Sequence, residues 1–182
     1  NGGCLDEATK QQIYKDIYDD SEWLIGVVEN LLYVTRLNDG RLKLELTDQL
    51  VDEVVNEAVS HLKKKSVGHK VTVRCDDLIL ARMDAQLIVQ VIVNLIDNAL
   101  KYTPEDGMVS IRVQEDEKFI HIYIVDNGCG IPAEHLPRVK DKFYKANQTQ
   151  RGSGIGLAVA DEIMTLHSGS LQIESEEGVG TT

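Results

Sequence analysis

The stretch Asn94-Leu95-Ile96-Asp97-Asn98-Ala99-Leu100-Lys101-Tyr102 decides how the rest of the chain is read. Asn94 and Asn98 are four residues apart and Lys101 is three further on, so in a helix all three project from one face. Two amides and an ammonium on an otherwise apolar helix make poor core and a good surface for a metal-bound phosphate. Two glycine clusters follow, Asp126-Asn127-Gly128-Cys129-Gly130-Ile131 and Gly152-Ser153-Gly154-Ile155-Gly156-Leu157. Together they predict a nucleotide site built from one helix and two loops.

Outward from this stretch, the pattern predicts the asparagine helix over 84–102, ended by Thr103-Pro104 because the residue before a proline is driven out of the helical region. Leu50, Val51, Val54, Val55, Ala58, Val59 and Leu62 recur at helical spacing and predict a helix over 48–65. Alternating segments predict strands at 41–46, 71–75 and 78–82, a hairpin of 109–114 with 119–125, and a last strand over 171–175. A short acidic helix is expected between Pro132 and Pro137, a mobile loop over 140–153, and an amphipathic helix over 155–167. The order β-α-β-β-α-β-β-α-β implies a two-layer α/β sandwich with a mixed sheet.

Residues 5–38 read as one long helix stopped by the turn Asn38-Asp39-Gly40. With Ile17, Leu24 and Leu31 at heptad position a, position d holds Ile13, Asp20, Val27 and Val34, a coiled-coil seam with one acidic break. Such a stripe needs partner helices to cover it.

Composition bounds the function. The 182 residues carry 42% apolar and 27% charged side chains, the balance of a soluble globular protein rather than a disordered one. A net charge of −11 argues against a nucleic-acid binder, which needs a basic surplus to displace counterions, but not against ATP. Cys4, Cys75 and Cys129 lack metal-ligand spacing and read as reduced thiols in a cytosolic setting. No apolar run approaches the roughly 18 residues of a membrane span. Both ends of the sequence read as cuts through a longer protein.

The first glycine cluster, read to Ala133, fits G-x-G-x-x-A after a strand, the dinucleotide-binding fingerprint. Three points oppose that reading. The strand follows a hairpin, Pro137 bars a long helix, and no acidic residue ends a second parallel strand. The second cluster has Leu157 where G-x-G-x-x-G needs glycine, and no Lys-Ser/Thr follows, so it is not a P-loop. It does open a helix, whose N–H groups suit a phosphate chain.

In this order the elements resemble the catalytic ATP-binding domain of sensor histidine kinases, in the superfamily shared with Hsp90, gyrase B and MutL. Asn94–Tyr102 is similar to the N box, Asp126–Ile131 to the G1 box, Phe143-Tyr144 to the F box, Gly152–Leu157 to the G2 box and Gly180-Thr181 to a terminal glycine-threonine. The resemblance covers 42–182 and implies a Bergerat-type fold. Residues 1–38 resemble the second helix of the dimerisation and histidine-phosphotransfer hairpin.

The resemblance implies a role for each residue. Asn98 offers its amide oxygen to Mg²⁺, Asn94 faces metal-bound water or phosphate, and Lys101 contacts phosphate. Tyr102 lies beside adenine and ribose, and Asp126 accepts from the adenine amine, which separates ATP from GTP. Gly128 and Gly130 admit the base, Ile131 adds an apolar wall and Thr181 supports adenine. Gly152, Gly154, Ile155, Gly156 and Leu157 form the phosphate loop. Tyr144 and Lys145 belong to the lid, with Lys145 reaching the γ-phosphate, so the catalytic pair is Lys101 and Lys145. Tyr144 and Phe143 have an equally good reading as packing that anchors the lid, and Lys145 one as a solvated charge.

Further implications are a phosphoryl transfer from ATP to a histidine, relay to a response-regulator receiver domain, and a homodimer through the helical hairpin. The chain would be a cytoplasmic fragment of a protein anchored in the bacterial inner or plasma membrane. Two other functions stay open: an ATP-sensing interaction module without phosphotransfer, and a related serine kinase that binds sigma factors. None of His61, His69, His121, His135 and His167 precedes an acidic residue on a heptad helix, as the family's phosphoacceptor does. Lys140 stands where an aromatic is common, and the lid over 147–151 is short.

Overall fold

The computed structural model describes residues 6–38, 43–62, 66, 68–75, 78–146 and 152–182. The elements are α1 (Glu7–Asn38), β1 (Thr47–Leu50), α2 (Val51–His61), β2 (Lys70–Arg74), β3 (Leu80–Met83), α3 (Ala85–Tyr102), β4 (Met108–Glu115), β5 (Ile120–Asp126), a 3-10 turn at Leu136–Arg138, α4 (Gly156–Leu166), β6 (Ser175–Glu176) and β7 (Gly180–Thr181). Five strands form one mixed sheet in the order β2-β4-β5-β7-β6, with β2 parallel to β4 and the other pairs antiparallel. β1 and β3 make a separate antiparallel pair. The expected α/β fold with a mixed sheet is present.

α3 is the central element. Leu87, Ile88, Val91, Ile92, Ile96, Ala99 and Leu100 are buried, packing α3 between α2 and α4 and onto β4 and β5. α2 contributes Val51, Val54, Val55 and Ala58, and α4 contributes Val159, Ala160 and Ile163. From the sheet, Val109, Ile111 and Val113 of β4 point inward on alternate positions, so one face is core and the other solvated. α3 starts where Asp84 accepts the Leu87 N–H at 3.3 Å, an N-cap that satisfies an orphan donor of the first turn. Its other carboxylate oxygen accepts the Glu45 N–H, and the Asp84 N–H donates to the His167 ring at 3.1 Å. Thr103, extended ahead of Pro104, ends the helix as the sequence predicted.

Several expected elements lie elsewhere. The first strand is at Thr47–Leu50, not 41–46: Thr47–Leu50 register against Leu80–Met83, residues 43–46 have no regular structure, and 41–42 are outside the described residues. That pairing also delays α2 to Val51. No acidic helix separates the prolines; Pro137 sits inside the 3-10 turn, where its fixed φ suits a tight start. The strand expected over 171–175 is reduced to Ser175–Glu176, paired with β7. The turn at 39–40 and the lid over 147–151 lie outside the described residues.

The long helix is present as α1. Its heptad residues Ile13, Ile17, Leu24 and Leu31 stay 39–58% exposed, so this seam is not covered by the chain's own core. The helix packs against α4, and its buried Asn30 reaches Asn94 of α3. Among the described residues, no helix is long and apolar enough to cross a membrane.

Candidate nucleotide site

Asn94, Asn98 and Lys101 line one groove beside α3, together with Tyr102, Asp126, Ile131, Tyr144, Lys145, Gly152, Gly154, Gly156, Leu157 and Thr181. The two glycine clusters, far apart in sequence, are both brought against α3, the first at Tyr102 and the second from Lys101 back to Asn94.

The first cluster closes on the C-terminal end of α3. The Cys129 N–H donates to the Tyr102 carbonyl at 3.1 Å, and a Cβ on Gly128 would overlap that same carbonyl oxygen. Gly130 has φ +66°, and a Cβ there would overlap the Glu176 carbonyl. These glycines therefore serve the close approach of three backbones. Asp126 ends β5, half-buried. Its Oδ1 accepts the Gly128 N–H at 2.9 Å and the Thr181 N–H at 3.3 Å. Burial pushes its pKa up, and the two main-chain donors partly oppose the rise. Burial also raises the Tyr102 phenol, with a smaller contribution from Cys129.

Ser175 escaped the sequence reading, which treated 171–175 only as a strand. Its hydroxyl accepts the Ile131 N–H at 2.8 Å, donates to the Gly180 carbonyl at 2.9 Å and meets the Thr181 hydroxyl at 2.8 Å. One side chain thus ties the first glycine loop to β7. A serine at a strand end carries no periodic signal that would reveal this.

The second cluster meets the polar face of α3. A Cβ on Gly152 would lie 2.6 Å from the Lys101 ammonium, so the loop backbone comes right up to that charge. Lys101 is partly buried, and desolvation is the main cause of its lowered pKa; Asp97 opposes the shift and Lys145 adds to it. Lys145 is thus within electrostatic reach of Lys101. The Lys101 ammonium also lies 5.0 Å from the Tyr102 ring centroid. Gly154 has φ +69°, and its carbonyl accepts the Phe143 N–H at 2.8 Å, joining the second cluster to the Phe143-Tyr144 segment.

Tyr144 is held by protein. Its hydroxyl bonds His135 Nδ1 at 2.7 Å and the Arg138 guanidinium lies 4.3 Å from its ring centroid. Phe143 is exposed. Lys140 is used as a tether: its ammonium donates to Asp161 and to the Leu171 carbonyl, each at 2.8 Å, and Lys142 pairs with Glu162 at 2.7 Å. The segment before the lid is thus fastened to α4 by two ion pairs.

Asn94 and Asn98 differ. Asn98 makes no described hydrogen bond and faces the groove. Asn94 is buried. Its Nδ2 donates to Asn30 Oδ1 and to the Gly156 carbonyl, and its Oδ1 accepts from Gln90, all at 3.4 Å. Asn30 was not among the predicted residues; as one polar position on a helix read for its apolar stripe, it gave no signal.

A half-buried carboxylate, a partly buried cation and two glycine loops are gathered beside the last turns of α3. No group of three or more His, Cys, Asp or Glu able to hold a metal occurs among the described residues. A neutral amide oxygen such as Asn98 suits Mg²⁺ held chiefly by phosphates and water.

Residues 83–182 match the family model described as histidine kinase-, DNA gyrase B- and HSP90-like ATPase. The chain is 40% identical to the sensor protein KdpD of Clostridium acetobutylicum over 177 residues, covering 94% of this chain and 20% of that protein. It is 31% identical to the sensor histidine kinase WalK of Bacillus subtilis over 172 residues, covering 90% of this chain and 28% of that one. Among solved structures, the Acinetobacter baumannii histidine kinase AdeS superposes with a TM-score of 0.74 at 22% identity, over 98% of this chain and 83% of that one. The chain therefore spans well under half the length of these two curated relatives.

Proposed function

The chain belongs to the histidine kinase-, DNA gyrase B- and HSP90-like ATPase family, and we propose that it is the ATP-binding catalytic part of a sensor histidine kinase. In this reading residues 42–182 bind Mg-ATP and residues 1–38 belong to a dimerising hairpin, of which α1 is one helix. The observation that carries it is the pairing of two polar features beside α3: the Asp126 carboxylate held by the Thr181 N–H, and Lys101 against the Gly152 backbone. That is the arrangement an adenine base and a phosphate chain require of one site.

Each residue has a definite task. The Asp126 carboxylate accepts from the adenine amine and repels the guanine carbonyl. Tyr102 and Ile131 flank the base, and Gly128 and Gly130 leave it room. Lys101 and Lys145 neutralise phosphate oxygens, while the start of α4 offers free N–H groups and a partial positive charge. Asn98 would hold Mg²⁺, which supplies charge neutralisation between phosphate oxygens. The side chains thus position and screen the phosphates, which is most of what phosphoryl transfer asks of a protein.

In the intact protein the γ-phosphoryl passes to a histidine imidazole: a P–N bond forms, the P–O bond to ADP breaks, and a receiver-domain aspartate accepts the group next. The exposed apolar seam of α1 supports a helical bundle, and with it a homodimer. Calorimetric titration of ATP with and without Mg²⁺ tests the site. Asn98→Ala should abolish the Mg-dependent part, and unchanged affinity would sink the metal assignment. Phosphotransfer from labelled ATP to a separately made helix bearing the acceptor histidine tests the activity.

A further inference from the structure

Asn94 is engaged from outside the domain match, by Asn30 of α1. The two side chains are 8% and 9% exposed and bond each other at 3.4 Å. The Gly156 carbonyl is the second acceptor, so both hydrogens of Asn94 Nδ2 are engaged, while Oδ1 accepts from Gln90. Asn98, one turn on, makes none of these bonds. α1 reaches the asparagine face of α3 through the Asn30–Asn94 bond and packs against α4, whose first residue is Gly156.

We propose that Asn30 is a positioning residue of the nucleotide site, acting through Asn94: while α1 is docked it holds the Asn94 amide away from the metal-bound phosphates, and it lets go when they bind. The inference rests on the Mg-ATP reading of the groove. An amide whose two N–H donors are both committed to protein cannot donate to the phosphates until one of those bonds breaks. Binding affinity is then scaled by the fraction of molecules in which Asn94 is free. Linkage makes the effect reciprocal, so Mg-nucleotide loosens α1 by the factor that docked α1 weakens Mg-nucleotide. Because the same amide donates to Gly156, the first residue of α4, its release also reaches the second glycine cluster.

The test compares the 182-residue chain with Asn30→Ala and Asn30→Asp, titrated with a Mg-bound non-hydrolysable ATP analogue and, separately, with adenosine. Loss of one neutral hydrogen bond should tighten the analogue about fivefold in Asn30→Ala, the equivalent of about 1 kcal/mol. Adenosine affinity should not move, because it engages only the Asp126 end. Asn30→Asp keeps the acceptor and should not tighten the analogue. A general loosening of the fold would change both ligands together, and that result overturns the proposal. So does an Asn30→Ala protein that binds the analogue no more tightly than the parent. If Asn98→Ala leaves Mg-dependent binding intact, the Mg-ATP reading itself fails. If Asn98→Ala abolishes it while Asn30→Ala is neutral, only the role of Asn30 fails.

Discussion

Asp126 and Thr181, 55 residues apart in sequence, are register partners across β5 and β7, and the Thr181 N–H donates to Asp126 Oδ1 at 3.3 Å. The Gly128 N–H converges on the same oxygen. Two main-chain donors therefore fix the carboxylate and leave Oδ2 with no described protein partner. The strand pairing that closes the sheet also aims the acceptor that would read the base.

Asp126→Asn keeps the shape and removes the charge. A hydrogen bond to a charged group is worth about 1.5–3 kcal/mol, so ATP affinity should fall about ten- to a hundredfold. The preference for ATP over GTP should collapse with it, read by competition between the two nucleotides. An unchanged preference counts against the role. Acidity gives a second readout, because burial raises this pKa. A carboxyl whose folded pKa is raised contributes stability that is full below the unfolded value and is lost as pH rises through the folded value. Base recognition needs the ionised form, so ATP affinity moves the other way and falls as pH drops through the raised pKa. Asp126→Asn should flatten both profiles.

Gly130→Ala should be far more damaging than an ordinary surface change. The position has φ +66°, which costs an L-residue roughly 1–2 kcal/mol, and the new methyl overlaps the Glu176 carbonyl. Together they should lower stability by more than about 2 kcal/mol, seen as a reduced denaturation midpoint with unchanged slope. By contrast Gly178→Ala meets no atom within 4 Å and should cost only the strain of its φ of +81°.

What was legible in the sequence follows from periodicity. α3, α4 and the β4–β5 hairpin each bury one face, so their apolar spacing had to show, and their bounds fall within two residues of expectation. The groups that converge on Asp126 and Lys101 were legible as types, since glycine, asparagine and lysine in those places have few other uses. The short strands were misplaced because pairing decides them: Thr47–Leu50 is polar at three of its four positions and is a strand only because Leu80–Met83 lies alongside. Contacts between distant segments left no local mark. Ser175 tying Ile131 to Gly180 and Asn30 holding Asn94 are single polar residues whose meaning exists only in three dimensions.

The β4–β5 hairpin carries its own acid limit. Asp116 Oδ1 accepts the Lys118 and Phe119 N–H groups at 2.8 Å each, and Oδ2 meets His121 at 2.8 Å. The His121 bond, then the two N–H bonds, hold its pKa at about 2, below the usual 3.8. A depressed carboxylate contributes stability that is present above the unfolded value and is lost as pH falls through the folded one. Amide exchange in Glu115–Ile120 should therefore quicken as pH is lowered from about 4 to 2, after correction for intrinsic rates. Asp116→Ala should show the faster exchange already at neutral pH.

Lys101 should show a trade between stability and binding. Desolvation is the first cause of its lowered pKa, with Lys145 adding to it and Asp97 opposing. An ammonium with a depressed folded pKa contributes stability that is full above the unfolded value and is lost as pH falls through the folded value, so at neutral pH its charge is a burden on the free protein. Lys101→Met removes that burden and keeps the aliphatic stem, so the ligand-free variant should melt no lower than the parent, and higher if repacking is clean. Its affinity for the triphosphate should drop at least tenfold while adenosine binds as before, because the lost group acts only on phosphate. Phosphate binding restores the ammonium pKa, so calorimetry of the parent in buffers of different ionisation enthalpy should reveal proton uptake at alkaline pH, and Lys101→Met should lose it. A variant that binds triphosphate like the parent would remove Lys101 from the site.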